Sequence, residues 1–278
     1  MPRLTSEQQQ AIAARVRYYR DLGVYDFYRR GEASAESQIT LEPASYTSEP
    51  ITAATAAAEE TMPKKQSPAP QKDLIAAGSL IAPEKREAAL RAIREEIGDC
   101  KRCPLAFAGR HTIVFGEGDP NARLMFVGEG PGADEDMQGR PFVGRAGQLL
   151  NNMITAMGLE REQVYIANIV KCRPPQNRTP EPEEANTCTQ FLFQQIGVIR
   201  PEILVALGAT AATYLLGGKA SLSSLRGRIH QARGSKLIVT YHPAYLLRDP
   251  RQKKEAWADL QMAMAELGLK APKRSSAE

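Results

Sequence analysis

The chain of 278 residues predicts an α/β protein: a three-layer α/β/α sandwich with a central four-stranded, mainly parallel sheet, plus a disordered N-terminal extension. Two observations predict the sandwich. Four short apolar runs have the length of buried strands, and longer segments with helical spacing alternate with them, which is typical of a parallel sheet covered on both faces. A third observation predicts the extension. Between Thr47 and Asp73 the chain has almost no large apolar residue, too little to offset the entropy of ordering.

The predicted strands and helices follow one another along the second part of the chain. Strands are expected at residues 124–128, 164–169, 203–207 and 237–241. Helices are expected at residues 84–97, 144–157, 181–199, 209–216 and 253–267. The sequence thus predicts four parts: an N-terminal helical segment at 1–31, a disordered linker at 32–82, a folded domain at 83–270 and a disordered tail at 271–278.

Composition and charge argue against a membrane protein and suit a polyanionic partner. Hydrophobic residues make up 42% of the chain, but no apolar run approaches the roughly 20 residues that cross a bilayer, and the N-terminus has no apolar signal-peptide core. We therefore expect a cytoplasmic protein with reduced thiols. The chain has 36 Lys and Arg residues and 32 Asp and Glu residues. Residues 1–84 contain 9 of the basic and 11 of the acidic residues, so residues 85–278 contain 27 basic and 21 acidic residues. The folded part is therefore the basic part, as nucleic-acid binding would favour.

The four cysteines indicate a metal site. Cys100 and Cys103 form a C-x2-C pair, and fifteen residues separate Cys172 from Cys188. Four thiolates are the ligand set of a tetrahedral zinc ion or of a four-iron cluster, because both bind soft, deprotonated sulfur. Two disulfides are the alternative, which the reducing compartment and the C-x2-C spacing disfavour.

Polar and aromatic residues follow the predicted strands, at the edge where parallel sheets bind ligands. Gly128, Gly130 and Gly132 do not have the spacing of a dinucleotide loop, and acidic residues follow them, so they favour close approach to a neutral ligand. Phe142 is a candidate platform for a planar base, with an ordinary core position as the alternative. Asn168 offers donors and an acceptor to a base edge, although such a residue is more often a turn or cap.

The segment after the last predicted strand combines a histidine with an apolar tip and basic residues. His242 is expected at the carboxyl end of that strand, where active sites form. Leu246 and Leu247, followed by Arg248, have the composition of a tip that enters a base stack while cations hold phosphates. An ordinary loop that leads into an amphipathic helix fits the same composition equally well.

Four long segments, together with both cysteine pairs, match one known family in order and spacing. They are GEGPGADED at 128–136, GRPFVGRAGQLL at 139–150, NIVKCRPPQNR at 168–178 and HPAYLLR at 242–248. Over roughly residues 88–268 the chain closely resembles the family 4 uracil-DNA glycosylases, the iron–sulfur branch of that superfamily. The resemblance implies that residues 83–270 form a catalytic domain that flips uracil out of DNA and hydrolyses its N-glycosidic bond, which starts base excision repair.

The resemblance also implies roles for individual residues. A [4Fe-4S] cluster would be bound by Cys100, Cys103, Cys172 and Cys188. Uracil would be bound by Glu129, Gly130, Pro131, Phe142, Asn168 and His242. Among these, Phe142 would stack on the base, Asn168 would bind its O4 and N3 edge, and His242 would donate a hydrogen bond to O2. DNA would be contacted by Leu246 or Leu247 and by Arg248.

The group that activates water stays open in this resemblance. The best-known family of the superfamily has an aspartate where this chain has Gly130. Glu129 and Glu135 are carboxylates in the same loop, and we favour Glu129, beside His242, as a catalytic residue. Residues 226–230 are similar to a segment of relatives that become covalently trapped on DNA, but they precede the last strand here, so we expect no covalent role for His230.

A second function is a cluster-bearing DNA-binding module without glycosylase activity, such as a polymerase accessory. The combination of Phe142, Asn168 and His242 disfavours it, since a pure binder has no need of a uracil pocket. We expect a monomer that acts on single- or double-stranded DNA containing uracil and has no membrane partner. The N-terminal helix is a candidate docking site for a repair or replication protein.

Overall fold

The computed structural model of the chain describes residues 81–270. The predictions for residues 1–31, 271–278 and nearly all of 32–82 lie outside the described residues. The strands are β1 (Glu117–Gly118), β2 (Leu124–Gly128), β3 (Tyr165–Asn168), β4 (Ile203–Leu207), β5 (Ile229–Ala232) and β6 (Ser235–Thr240). They form one sheet in the order β1-β3-β2-β4-β6-β5.

The four central strands are parallel, as predicted, but the sheet has six strands and the predicted number of four is wrong. β2 pairs in parallel with β3 and β4, and β4 pairs in parallel with β6. Antiparallel strands close the two edges, β1 beside β3 and β5 beside β6. A strand of two residues gives no periodic signal, and β5 is largely exposed, so neither has the apolar run that predicted the other four.

Eight α-helices accompany the sheet within residues 81–270. They are α1 (Arg86–Ile97), α2 (Ala133–Gln138), α3 (Arg145–Ala156), α4 (Pro182–Ile199), α5 (Ala209–Leu216), α6 (Leu222–Leu225), α7 (Pro243–Arg248) and α8 (Lys253–Leu267). The five long helices match the predicted ones to within two residues at each end. The short helices α2, α6 and α7 were not predicted, because one or two turns are too short for a helical periodicity.

The predicted three-layer α/β/α sandwich is confirmed, because alternate strand residues point into two separate cores. On one face, Met125 and Val127 of β2 join apolar residues of α1, α4 and α5. On the other face, Leu124 and Phe126 join apolar residues of α3 and α8. The central strands are therefore buried on both sides, which is why their sequences are continuous apolar runs.

This architecture places the functional segments at one edge of the sheet. β2, β3, β4 and β6 all run in the same direction, so the loops that follow them emerge together. Gly128, the last residue of β2, lies opposite Asn168, the last residue of β3. None of the helices at residues 81–270 is long and apolar enough to cross a membrane.

Candidate active site

Gly128, Asn168 and Phe142 lie against one another at the carboxyl end of β2. A Cβ atom added at Gly128 would lie 2.4 Å from Asn168 Oδ1 and 2.6 Å from Phe142 Cζ. Both atoms thus occupy the space that a side chain at position 128 would need. Only glycine permits this approach, so the sheet brings together the two residues that the sequence singled out for base binding.

The side-chain oxygen of Asn168 has no hydrogen-bond partner, although the residue is only 1% exposed. An unsatisfied buried acceptor costs about 1–3 kcal/mol. Native proteins seldom tolerate that cost without a functional reason. The Asn168 side-chain oxygen is therefore suited to accept an N–H group from a ligand bound at this edge of the sheet.

Phe142 has a left-handed backbone conformation, with φ of 51°. Glu135 holds the loop that contains it, because Oε1 of this carboxylate accepts hydrogen bonds from the backbone N–H groups of Val143 at 2.9 Å and Gly144 at 3.0 Å. Its other oxygen accepts from the Gly132 N–H at 3.0 Å. One carboxylate thus joins the glycine loop after β2 to the loop that carries Phe142.

Arg161 holds the same loop from a second direction. Its guanidinium donates to the carbonyl oxygens of Pro141 at 2.5 Å and Phe142 at 3.2 Å, and to Asn151 Oδ1 at 2.7 Å. Glu117 pairs with this guanidinium at 2.6 Å. Two charged side chains therefore fix the strained backbone on which the Phe142 ring is presented.

The His242 ring lies beside the Phe142 ring, with centroids 5.5 Å apart. His242 is the N-cap of α7, and its Nδ1 accepts a hydrogen bond from the backbone N–H of Ala244 at 3.1 Å. Burial lowers the pKa of His242 to about 4; the charge of Arg248 lowers it further and Glu135 opposes the shift. The ring is therefore neutral at physiological pH. Since Nδ1 is the acceptor, Nε2 carries the proton and is a hydrogen-bond donor.

Glu129 follows Gly128 and is half-buried in the same loop. Its Oε2 accepts a hydrogen bond from Thr210 Oγ1 at 2.5 Å, which ties it to the first turn of α5. The next two residues pack closely: a Cβ at Gly130 would lie 2.7 Å from Val170 Cγ2, and Pro131 is buried. The backbone at residues 129–131 is therefore held close to the loop after β3.

The four cysteines surround one small cavity on the α1 and α4 side of the sheet. All four are free thiols, so the alternative of two disulfides is not supported. Within residues 81–270, no three His, Cys, Asp or Glu side chains converge closely enough to hold a single metal ion. Four thiol groups around one cavity are a ligand set that a zinc ion or an iron–sulfur cluster can use.

Hydrogen-bond donors point at three of the four sulfur atoms. Arg110 Nη1 donates to Cys172 Sγ at 3.2 Å, and the Lys171 N–H donates to Cys188 Sγ at 3.3 Å. Arg102 Nη1 lies 3.5 Å from Cys100 Sγ. Such donors stabilise thiolate sulfur that is bound to metal. As a free thiol, Cys188 has its pKa raised to about 12 by burial.

Comparison with known proteins decides the family. The family model described as "Uracil DNA glycosylase superfamily" matches residues 115–261. The chain belongs to the uracil DNA glycosylase superfamily. It is 50% identical over 166 residues to the type-4 uracil-DNA glycosylase of Thermotoga maritima, which covers 59% of this chain and 86% of that protein. It is 45% identical over 181 residues to the type-4 enzyme of Pyrobaculum aerophilum, covering 62% and 92%. A DNA polymerase of Bacillus phage SP01 is 30% identical over 159 residues, 57% of this chain and 17% of that polymerase.

Within this glycosylase domain, the two leucines predicted to contact DNA lie in different environments. Leu246 is 1% exposed and packs inside the protein, so it is not available to enter a base stack, which corrects that part of the prediction. Leu247 is 36% exposed and Arg248 is exposed, both at the end of α7. A contact of these two residues with DNA stays a prediction.

The segment at residues 226–230 of this superfamily member has structural partners. Arg226 Nε pairs with the buried Asp259 at 2.7 Å, and its guanidinium lies 4.0 Å from the Tyr241 ring centroid. His230 Nε2 lies 2.7 Å from the Leu225 carbonyl oxygen. These contacts join β5 and the preceding turn to the rest of the sandwich, and the absence of a covalent role for His230 stays a prediction.

Sequence reasoning missed the side chains that hold Phe142 and Glu129 in place, and it named Glu135 only as a candidate for water activation. Glu135 had a detectable signal, since a Glu three residues after a helix start is typical of a capping interaction. Arg161 and Thr210 had none, since their partners are distant in sequence.

Proposed function

We propose that this chain is a uracil-DNA glycosylase, which removes uracil from DNA by hydrolysing the N-glycosidic bond. The observation that carries the proposal is the buried, unpartnered Oδ1 of Asn168, set beside the Phe142 ring at the carboxyl edge of the sheet. A planar base with a polar edge satisfies both features at once. Membership of the superfamily and the names of the type-4 relatives support the same activity.

Recognition of uracil follows from the hydrogen-bonding pattern of its edge. Uracil has an N3–H donor beside the O4 acceptor. The Asn168 side chain has an acceptor and a donor group that complement this pair. Cytosine has an unprotonated N3 and an amino group at these positions, so it would leave the buried amide with two mismatched contacts. A site with buried polar groups rejects such a mismatch strongly. Phe142 would stack on the face of the extruded base.

The leaving base is stabilised by the neutral form of His242. As the N-glycosidic bond breaks, negative charge develops on uracil, largely at O2. The Nε2–H group of His242 is the free donor of this ring, because Nδ1 is already occupied by the Ala244 N–H. A pre-oriented donor of this kind contributes about 3–4 kcal/mol to transition-state stabilisation. Because its pKa is lowered, His242 is a neutral imidazole when the bond breaks. A neutral imidazole donates a hydrogen bond but keeps its proton, so the base departs as an anion.

The attacking water is oriented by Glu129 in this proposal. Glu135 is less suited, because both of its oxygens already accept backbone hydrogen bonds. Glu129 uses Oε2 for Thr210, and the described residues donate no hydrogen bond to its Oε1. A carboxylate that is held at one oxygen can accept a proton from water with the other. The larger part of the reduction in activation free energy comes from stabilisation of the departing base.

The duplex is contacted by the end of α7 in this proposal. Leu247 occupies the space left by the extruded base, and exposed cations after it neutralise phosphates, which position the DNA without reading sequence. The exposed basic residues of this region are Arg248, Arg251, Lys253 and Lys254, of which Arg251 pairs with Asp249 at 2.8 Å. We propose a monomer in a cytoplasmic compartment, and a repair or replication partner that docks on the N-terminal segment.

The four cysteines would hold a [4Fe-4S] cluster in this proposal. Their shared cavity, the donors directed at their sulfurs and the type-4 relatives support it. When bound, the cluster supplies a cross-link between the segment before the sheet, the loop after β3 and helix α4. None of the hydrolytic steps moves an electron, so its role is structural.

Release of free uracil from oligonucleotides that contain a single deoxyuridine tests the proposal. Iron-loaded protein should release uracil, and no base should leave a matched oligonucleotide with cytosine in its place. Asn168→Ala should lower release while binding to abasic DNA persists. If the loaded protein binds DNA but frees no base from single or double strands, the alternative of a DNA-binding module without glycosylase activity replaces this one.

A further inference from the structure

Lys171 lies between the cysteine cavity and the uracil pocket, and nothing above gives it a function. Its side chain is 1% exposed, and it lines the cavity that the four cysteines surround. Within residues 81–270 its ammonium forms no ion pair with a carboxylate. A buried cation without a nearby negative charge costs several kcal/mol. The position therefore needs a source of negative charge.

The ammonium group donates two hydrogen bonds, both to neutral oxygens. One goes to the backbone carbonyl of Asn168 at 3.1 Å and the other to Gln195 Oε1 at 2.6 Å. Gln195 is itself fully buried, and its Nε2 donates to the Phe115 carbonyl at 3.0 Å and the Tyr165 hydroxyl at 3.2 Å. The lysine is thus held at a fixed point by a satisfied network.

The backbone of Lys171 belongs to the cysteine site as well. Its N–H donates to Cys188 Sγ at 3.3 Å, and its carbonyl accepts from the Val114 N–H at 2.8 Å. The next residue is Cys172. Lys171 therefore contacts the cysteine site through its backbone N–H group and Asn168 through its side chain.

We propose that Lys171 is a positioning residue that couples the cysteine-bound group to uracil recognition. Four thiolates around iron would carry net negative charge, and that charge would compensate the buried ammonium. The ammonium in turn fixes the Asn168 carbonyl, and with it the direction in which the Asn168 amide meets the base. The inference rests on the proposed function, since it assigns Lys171 to the same pocket.

Arg110 offers a matched control. It is also a buried cation at the cysteine site, with a side chain 8% exposed, and it donates to Cys172 Sγ at 3.2 Å. It differs in two ways: Asp99 pairs with it at 2.6 Å, and it has no hydrogen bond to Asn168. Loss of Arg110 should therefore disturb the cluster without disturbing the base pocket.

The test compares iron-loaded wild type with Lys171→Met and Arg110→Met at equal iron content. Three quantities are measured: affinity for free uracil, affinity for abasic-site DNA, and the lifetime of the visible iron–sulfur absorbance in the presence of a chelator. In Lys171→Met we expect uracil affinity to fall about tenfold or more, as loss of one charge-assisted hydrogen bond predicts. Its abasic-site affinity should be unchanged and its cluster lifetime shorter. Arg110→Met should shorten cluster lifetime alone.

Two results would overturn the inference. One is wild-type uracil affinity in Lys171→Met, and the other is an equal loss of uracil affinity in Arg110→Met. If Lys171→Met does not fold, Gln195→Leu removes one acceptor of the ammonium and leaves the ligands intact. It should weaken uracil binding in the same direction, and unchanged binding there also refutes the inference. If the wild type neither binds nor releases uracil, the proposed function fails instead.

Discussion

Replacement of Glu135 separates a structural from a chemical role for this carboxylate. Its two oxygens accept three backbone N–H groups, from Gly132, Val143 and Gly144, at 2.9–3.0 Å. These bonds hold the loop in which Phe142 has φ of 51°. Without them the loop can relax toward an ordinary conformation, and the ring then leaves the position from which it stacks on a base.

The expected loss of stability follows from the number of bonds removed. A hydrogen bond to a charged acceptor contributes about 1.5–3 kcal/mol. Because Glu135 is half-buried, we use the lower end of this range for each of the three bonds, which gives a loss of about 4.5 kcal/mol for Glu135→Ala. Glu135→Gln keeps one carbonyl oxygen for Val143 and Gly144 and loses the bond to Gly132, so its cost is about 1–2 kcal/mol.

Urea unfolding and single-turnover uracil release together test this reasoning. Both variants should lose stability and activity in the same order, with Glu135→Ala affected more than Glu135→Gln. Asp134→Asn, in the same turn of α2, controls for the loss of one negative charge. If Glu135→Gln abolishes release while its free energy of unfolding equals that of the wild type, Glu135 transfers a proton and our assignment of Glu129 is wrong.

Four further predictions concern the pocket and its rim. Asn168→Ala should lower single-turnover release about a hundredfold or more with abasic-site affinity retained; equal losses of both would contradict its role in base reading. Because burial lowers the pKa of His242 to about 4 in the folded protein, release should show no inflection near the ordinary value of 6.5. The same shift means that the unfolded chain takes up this proton first, so stability in urea should fall as pH drops from about 6.5 toward 4; a pH-independent stability there argues against a lowered pKa of His242. Leu247→Ala should slow release from double-stranded more than from single-stranded DNA, and an equal effect on both would exclude insertion into a stack. Glu129→Gln should lower the release rate and leave uracil affinity close to wild type, whereas an unchanged rate would remove Glu129 from water orientation.

The parallel core of the fold was predictable because strands that are buried on both faces consist of consecutive apolar residues. Strands β2 and β4 are uninterrupted apolar runs, and their predicted bounds are the observed ones. The edge strands lack this signature. β5 begins at Ile229, and only its last residue, Ala232, is fully buried. Its pairing with β6 depends on tertiary contacts that no local pattern encodes.

The side chains proposed to contact a ligand were easier to predict than the side chains that keep those contact residues in position. Asn168 and His242 stand at the ends of recognisable strands, Phe142 lies in the loop between α2 and α3, and the structure brings the three together. Some of the side chains that support them make contacts far along the chain. Arg161 reaches Phe142 from a different loop, and Lys171 reaches Gln195 across 24 positions. Such long-range side-chain contacts leave no periodic trace in sequence, which is why the supporting network appears only in the structure.

The most direct test of the account is a crystal structure of the iron-loaded protein with free uracil. We predict one uracil ring stacked on Phe142, with its N3–H donated to Asn168 Oδ1 and its O2 accepting a hydrogen bond from His242 Nε2. Uracil bound away from this pocket, or stacked there with O2 turned from His242, would contradict the account.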